Sequence, residues 1–373
     1  VANKGKSLVI CGNNSVDQQT IVLGINQLLG NIGSTVGMTR LSYQRQGNEA
    51  DLISVINEMN SGQVDAVILW NANPAYDSPM SAKFTEAMSK VSVKVSLNTL
   101  LDESTLLCNF SAPDHHYLES WGDAEPKKGI YSLIQPAINP IHNTRQAEHS
   151  LLVWCKSAML NAQAEQPYYD YLRNSWKESF GATNNDMQAF WDKCLHDGVF
   201  EAAATTENLN FTGNLGNAAS KIKPSAGSNL EVAITENIGI GAGQYANNPW
   251  LQEIPEPVSR CAWGNYVGVP ISFDGDRRFI SFEDIKEDGT IVDLTLNNQK
   301  LQLGAIKQFG TMPGTVSVAL GYGRKNGGVC GTGIGTDVYP FLTTDENGHT
   351  QYYIENADLK QAGIGLEKSF ACV

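Results

Sequence analysis

The sequence predicts an α/β protein, in which a parallel sheet with flanking helices is followed by a β-rich barrel. Two observations carry this prediction. Over the first hundred residues, short apolar runs alternate with stretches whose apolar residues recur at helical spacing, the pattern of β-α-β units that build parallel sheets. Beyond residue 229 the chain turns to short β-prone runs punctuated by turn signals such as Asp288-Gly289 and Asn347-Gly348.

The elements follow in order. Residues 7–11 form an apolar strand, and a Gly-Asn-Asn-Ser turn leads into a helix with Ile21, Val22, Ile25, Leu28 and Leu29 on one face. Leu52, Val55, Ile56 and Met59 give a second amphipathic helix, with Gly62 as its stop signal. The run VDAVILW reads as a buried strand, NANPAY as the loop at its carboxyl end, 81–90 as a helix and VKVSL as the next strand, giving helices on both faces of the sheet. A further helix is expected from Thr144, its cap, to about Ala164.

Residues 168–180 and 186–196 carry aromatics at helical intervals, and core packing is the plain reading of Tyr171, Trp176, Phe190 and Trp191. Residues 212–229 lack apolar periodicity and read as a linker. The runs LEVAI, YVGVPISF, IVDLTL and TVSVAL supply the strands of the barrel. The domain boundaries are therefore expected at 1–165, 166–228 and 229–373.

With 373 residues the chain exceeds the size that one core usually serves. A formal net charge of -13 repels phosphate backbones, so nucleic acid is excluded as a partner. No apolar run is long enough to span a bilayer. The seven cysteines are scattered without a CxxC pair, which offers no local zinc or iron–sulfur spacing. The ends, VANKGKSLVI and EKSFACV, read as those of a fragment of a longer polypeptide.

Two loops are candidates for ligand binding. The turn containing Gly12, Asn13 and Asn14 joins a strand to a helix start, where backbone N–H groups can hold phosphate, although it lacks the GxGxxG density and can equally be a simple chain reversal. Asn71, Asn73 and Pro74 lie at the carboxyl end of the following strand, where open α/β sheets bind ligands.

His115 and His116 can serve as metal ligands or proton carriers, but adjacent residues in an extended segment point to opposite sides, which favours a surface or interface role. Glu119 and Asp123 are either hydrogen-bonded to backbone or paired with Lys127, Lys128 and Arg145. GxSxG, HExxH, Walker and EF-hand motifs are all absent.

The order of the segments between residues 97 and 152 resembles the third domain of the molybdopterin oxidoreductase family. The resemblance rests on Asp102-Glu103-Ser104-Thr105, on Cys108 through Pro113, on Leu118-Glu119-Ser120-Trp121-Gly122 and on Gln135-Pro136. The wording of HHYLESWGDAEP and of residues 247–267 is similar to one branch, the large iron–sulfur subunits of alternative complex III, quinol oxidoreductases of bacterial respiratory chains.

The resemblance implies a Rossmann-like domain of the formate dehydrogenase and DMSO reductase type followed by a double-psi barrel. It implies a subunit on the periplasmic face of the inner membrane, with partner subunits in a membrane-bound complex and iron–sulfur clusters elsewhere in the full-length polypeptide. In that branch the domain has lost its cofactor, so neither cofactor nor catalytic residue is expected in this chain. Asn109 in place of the usual aspartate and Cys108 in place of alanine fit that loss.

The alternative is an active molybdopterin enzyme holding molybdopterin guanine dinucleotide between its two domains, and a third reading is a free-standing nucleotide binder. In the first reading, residues 115–136 are an aperiodic belt in which Tyr117, Trp121 and Tyr131 supply contact area against the barrel or a neighbouring subunit.

Overall fold

The computed structural model describes residues 2–181, 186–203, 211–222, 230–273, 279–281, 285, 287–345, 347–363, 368 and 370–372. The fold is mixed α/β, with a small parallel sheet and a larger curled sheet.

Helices α1 (Val16–Leu28) and α2 (Glu49–Asn60) precede strand β1 (Ala66–Leu69). α3 (Ser81–Met88) crosses over to β2 (Val93–Ser96), and β3 (Phe110–Ser111) completes a parallel sheet in the order β1-β2-β3. α2 and α3 bury Ile56, Met59, Phe84 and Met88 against Leu69 on one face. On the other face, Ile68, Val93 and Phe110 remain exposed, so among the described residues helices cover one face and not both.

Residues 7–11 were expected to lie in this sheet and do not. Their backbone is bonded by side chains instead: Asn26 of α1 accepts from Val9 N and donates to Val9 O, at 3.0 and 2.8 Å. α1 also buries a different face from the one its apolar residues mark. Gly24 and Asn26 are buried while Ile25 and Leu28 are exposed, because α1 packs on α7 and a Cβ at Gly24 would lie 2.4 Å from Leu215.

The expected belt is partly regular. β4 (Gly122–Lys127) and β5 (Ile130–Ile134) form an antiparallel hairpin extended by β6 (Phe200–Glu201). α4 (Ala147–Trp154) is shorter than expected. Asp114 Oδ1 accepts from Ala147 N at 2.7 Å and so starts the helix there, Thr144 bonds His115 instead of capping, and Lys156 ends the run with φ +53°.

α5 (Pro167–Phe180) and α6 (Met187–Asp197) pack on this hairpin. Trp176, Phe190 and Trp191 are buried there with Trp121, Tyr131 and Phe200 against them, while Tyr171 is half-buried and stacks on Tyr168. The hairpin thus packs Trp121 and Tyr131 on the helical core, and Trp121 also borders the cleft shared with the second half. Within the expected linker, α7 (Leu215–Lys221) starts at Asn214, whose side chain accepts from Asn217 N, and sets Leu215 against Gly24 of α1, while residues 223–229 lie outside the described residues.

The second half comprises β7 (Glu231–Thr235), the short α8 (Pro249–Glu253), β8 (Cys261–Ala262), β9 (Val267–Phe273), β10 (Phe279–Ser281), β11 (Ile291–Leu296), β12 (Gln299–Gln308), β13 (Thr315–Ala319), α9 (Gly328–Gly331), β14 (Thr343–Thr344), β15 (Thr350–Gln351), β16 (Tyr353–Ile354), β17 (Asp358–Gln361) and β18 (Ala371–Cys372). Its main sheet runs β16-β7-β13-β9-β12-β11-β17, with β10 beside β9. It curls into a half-barrel, and no pair among the described residues closes it.

Alternate residues of β7, β11 and β13 are buried, as the two-residue period of a strand requires, and Val232, Ile234, Val292, Leu294, Val316 and Val318 build the largest core. Tyr76, from the loop after β1, enters that core and joins the two halves.

Candidate functional site

The loop following β1 is built around Asn73. Asn71 adopts the left-handed conformation at φ +50°, which asparagine tolerates better than most residues. The Asn73 carboxamide oxygen accepts from Ser104 N and Ser104 Oγ at 3.0 and 2.7 Å, and its nitrogen donates to Glu103 at 2.8 Å. Asn98, at the end of β2, donates to Ala72 O and to Asp102, whose other oxygen accepts from Thr105 N. The stretch Asp102 to Thr105 is thereby wired to the loop at 71–74.

Glu103 carries the link to the second half. Its carboxylate accepts from Arg324 Nη2 at 2.6 Å and from the backbone N–H groups of Lys325 and Asn326 at 2.9 Å each. Burial alone would raise its pKa, but the bonds from Arg324, Asn326 and Asn73 hold it down to about 2. The side chains of Arg324 and Glu103 are only 4% and 9% exposed. Arg324 also donates to Gly243 O and lies 5.0 Å from the Tyr76 ring centroid. Tyr76 donates to Tyr322 O at 2.8 Å and makes an edge contact with Tyr339.

The loop that presents Arg324 needs its glycine. Gly323 has φ +73°, and a Cβ there would lie 1.9 Å from Asp337 N.

Between these elements lies a cleft of about 710 Å³. Trp70, Tyr117, Trp121 and Tyr245 supply aromatic wall, and Asp77, Asp102, Asp114, Asp123 and Glu148 supply carboxylates. Arg324 is the one lysine or arginine among the described lining residues, and Glu103 already neutralises it.

Protein crowds Asp77 on several sides although it opens to the cleft, and this desolvation pushes its carboxyl up to about 6 against the pull of Arg324. Burial likewise raises Glu148, with Asp114 and Asp123 adding repulsion. Asp114 accepts from Trp70 Nε1, His115 N and Ala147 N, and Asp123 accepts from Trp176 Nε1.

Both histidines border the cleft in structural roles. His115 Nδ1 bonds Thr144 Oγ1 at 2.6 Å, and His116 caps a single 3-10 turn through Leu118 N. Glu119 accepts from His116 N and Ile141 N, the backbone role that was one of its two readings.

Of the six residues singled out in the sequence, Asn71 and Asn73 line this cleft and Pro74 is buried behind it. Gly12, Asn13 and Asn14 do not line it. Asn13 Oδ1 accepts from Ser15 N, Gln19 donates to Asn13 O, and Asn14 donates to Thr350 O.

Sequence reasoning missed Glu103 and Arg324 as a pair, because 220 intervening residues hide the contact. The signal available was a carboxylate inside a motif and an arginine inside the glycine-rich run GYGRKNGG.

A dinucleotide with several negative charges does not fit this lining. Five carboxylates face it, and the single guanidinium is committed elsewhere. Among the described residues no group of three or more His, Cys, Asp or Glu side chains is placed to hold a metal ion. None of Cys11, Cys108, Cys155, Cys194 and Cys330 forms a disulfide. No helix of the described residues is long and apolar enough to cross a membrane.

No protein-family model matches the chain. Over 246 residues, 61% of its length, it is 24% identical to the menaquinone reductase molybdopterin-binding-like subunit of Nitratidesulfovibrio vulgaris. That match covers 34% of the relative, so the chain spans about a third of its length. Its fold is similar to that of acetylene hydratase from Pelobacter acetylenicus, with a TM-score of 0.54 at 11% identity over 83% of this chain and 46% of that one. The relative supports the resemblance to molybdopterin oxidoreductases read in the sequence, and the solved structure supports the fold.

Proposed function

We propose that this chain is a non-catalytic, molybdopterin-oxidoreductase-like portion of the iron–sulfur subunit of a respiratory quinol oxidoreductase of the alternative complex III type. Its work is structural: it offers surfaces to partner subunits of a membrane-bound complex at the periplasmic face, while the electron-carrying clusters belong to other parts of the full-length subunit. The curled sheet corresponds, on this reading, to the double-psi barrel of the family.

The observation that carries the proposal is the lining of the cleft. A pyrophosphate-bearing cofactor needs donors and positive charge at the ends of the strands. Here the cleft between the two halves offers carboxylates, and its one arginine is locked to Glu103. The likeness to a molybdopterin-binding-like subunit of a menaquinone reductase supports the respiratory setting.

Elemental analysis of the full-length protein purified in its complex tests the reading. We expect molybdenum and tungsten well below one atom per chain and no pterin fluorescence after oxidative release. Metal and pterin near one per chain would establish the active enzyme instead.

A further inference from the structure

The unpaired segment at 7–11 has two unlike edges. Along one, residues 7, 9 and 11 are held by side chains: Thr35 donates to Ser7 O, Asn26 bonds both Val9 N and Val9 O, and Gln19 donates to Cys11 O. Because N–H and C=O groups alternate in direction along an extended chain, those of Leu8 and Ile10 point to the opposite edge. None of these four groups has a partner among the described residues.

Burial alternates with the same period. Lys6, Leu8 and Ile10 are exposed and Ser7, Val9 and Cys11 are half-buried, with Leu8 at 54% and Ile10 at 81% exposure. An apolar strand edge left open in this way is a template for another strand, and folded proteins ordinarily block or cover such edges. The segment is also preformed, since three side chains fix its extended shape before any partner arrives.

We infer that this edge receives a β-strand of a partner polypeptide, with apolar side chains packing on Leu8 and Ile10 and acidic residues at the end beside Lys4 and Lys6. Charge selects the occupant. Lys4 and Lys6 form a local positive end on a chain of net charge -13, and neither makes an ion pair among the described residues. A second copy would bring the same positive end and the same overall negative charge, so a strand with acidic flanks is the better complement. The inference builds on the structural role proposed above and names one surface that serves it.

Hydrogen exchange on the full-length protein, alone and in its purified complex, tests this. Alone, the amides of Leu8 and Ile10 exchange freely while that of Val9 is protected; in the complex, Leu8 and Ile10 slow by about 100-fold or more. Ile10→Pro removes an N–H that has no partner among the described residues, so it leaves the melting temperature unchanged and lowers recovery of the complex about tenfold. The pair Lys4→Glu and Lys6→Glu lowers recovery similarly.

A complex that forms with both amides still exchanging freely overturns the inference and leaves the proposed function standing. Protection that grows with concentration of the isolated protein assigns the edge to a second copy and also overturns it. Stoichiometric molybdenum together with protected amides would do the reverse, removing the proposed function while sustaining the strand addition.

Discussion

The turn at 12–14 and the loop at 71–74 read alike in the sequence, each an asparagine-containing exit from an apolar run, yet the fold treats them differently. The strand before the second loop is paired in a sheet, so the loop is held over the cleft and Asn73 is drawn into the Glu103–Arg324 junction. The segment before the first pairs with no strand among the described residues, and its turn bonds to Ser15, Gln19 and Thr350 away from the cleft. Sheet pairing is what converts a loop of this composition into part of a site.

Mutations can break that contrast. The largest effect is expected at the junction: Glu103→Ala leaves Arg324 buried without its counter-charge, which costs about 3–5 kcal/mol. Urea denaturation should show it as a lower midpoint. Gly323→Ala comes next, since the added Cβ meets Asp337 N and φ is positive, with a loss of at least about 2 kcal/mol expected in the same measurement. Tyr76→Phe removes one buried hydrogen bond to Tyr322 O and should cost about 1 kcal/mol. Gly12→Ala, whose Cβ would meet nothing within 4 Å, should stay within about 0.5 kcal/mol of the parent.

The pH dependence sharpens the same comparison. Asp77 and Asp337 have pKa values raised to about 6 by burial, so the stability tied to their protonation is present below the ordinary aspartate range and is lost as pH rises through 6. Glu103 is depressed to about 2, so its contribution is present above the ordinary glutamate value and is lost as pH falls toward 2. The denaturation midpoint should therefore rise from pH 7 toward pH 5 and fall steeply below pH 4. Asp77→Asn together with Asp337→Asn should flatten the upper limb and leave the acid limb in place.

Local patterning made much of the fold legible. The periodicity of 52–59, the apolar run before Trp70 and the alternation in β11 and β13 each mark an element whose burial follows directly from side-chain spacing. The aromatics at 176, 190 and 191 were readable as core for the same reason.

Long-range competition hid the rest. Segment 7–11 has the composition of a strand but no strand beside it among the described residues, and the hairpin of β4 and β5 lacks clean alternation because its register shifts between Ala124 and Lys127. The cleft was only half visible. Asn71 and Asn73 follow from the rule for strand ends, whereas Arg324 arrives from a glycine-rich loop whose placement depends on the whole curled sheet.

The central claim is that the cleft repels the polyanion its fold would otherwise accommodate. Calorimetric titration of the full-length protein with guanosine diphosphate, the phosphate-bearing portion of molybdopterin guanine dinucleotide, tests it most directly. The account predicts no saturable heat up to about 1 mM ligand, a concentration that would reveal any site stronger than about -4 kcal/mol. Saturable binding at micromolar concentration that Asn73→Ala abolishes would contradict it.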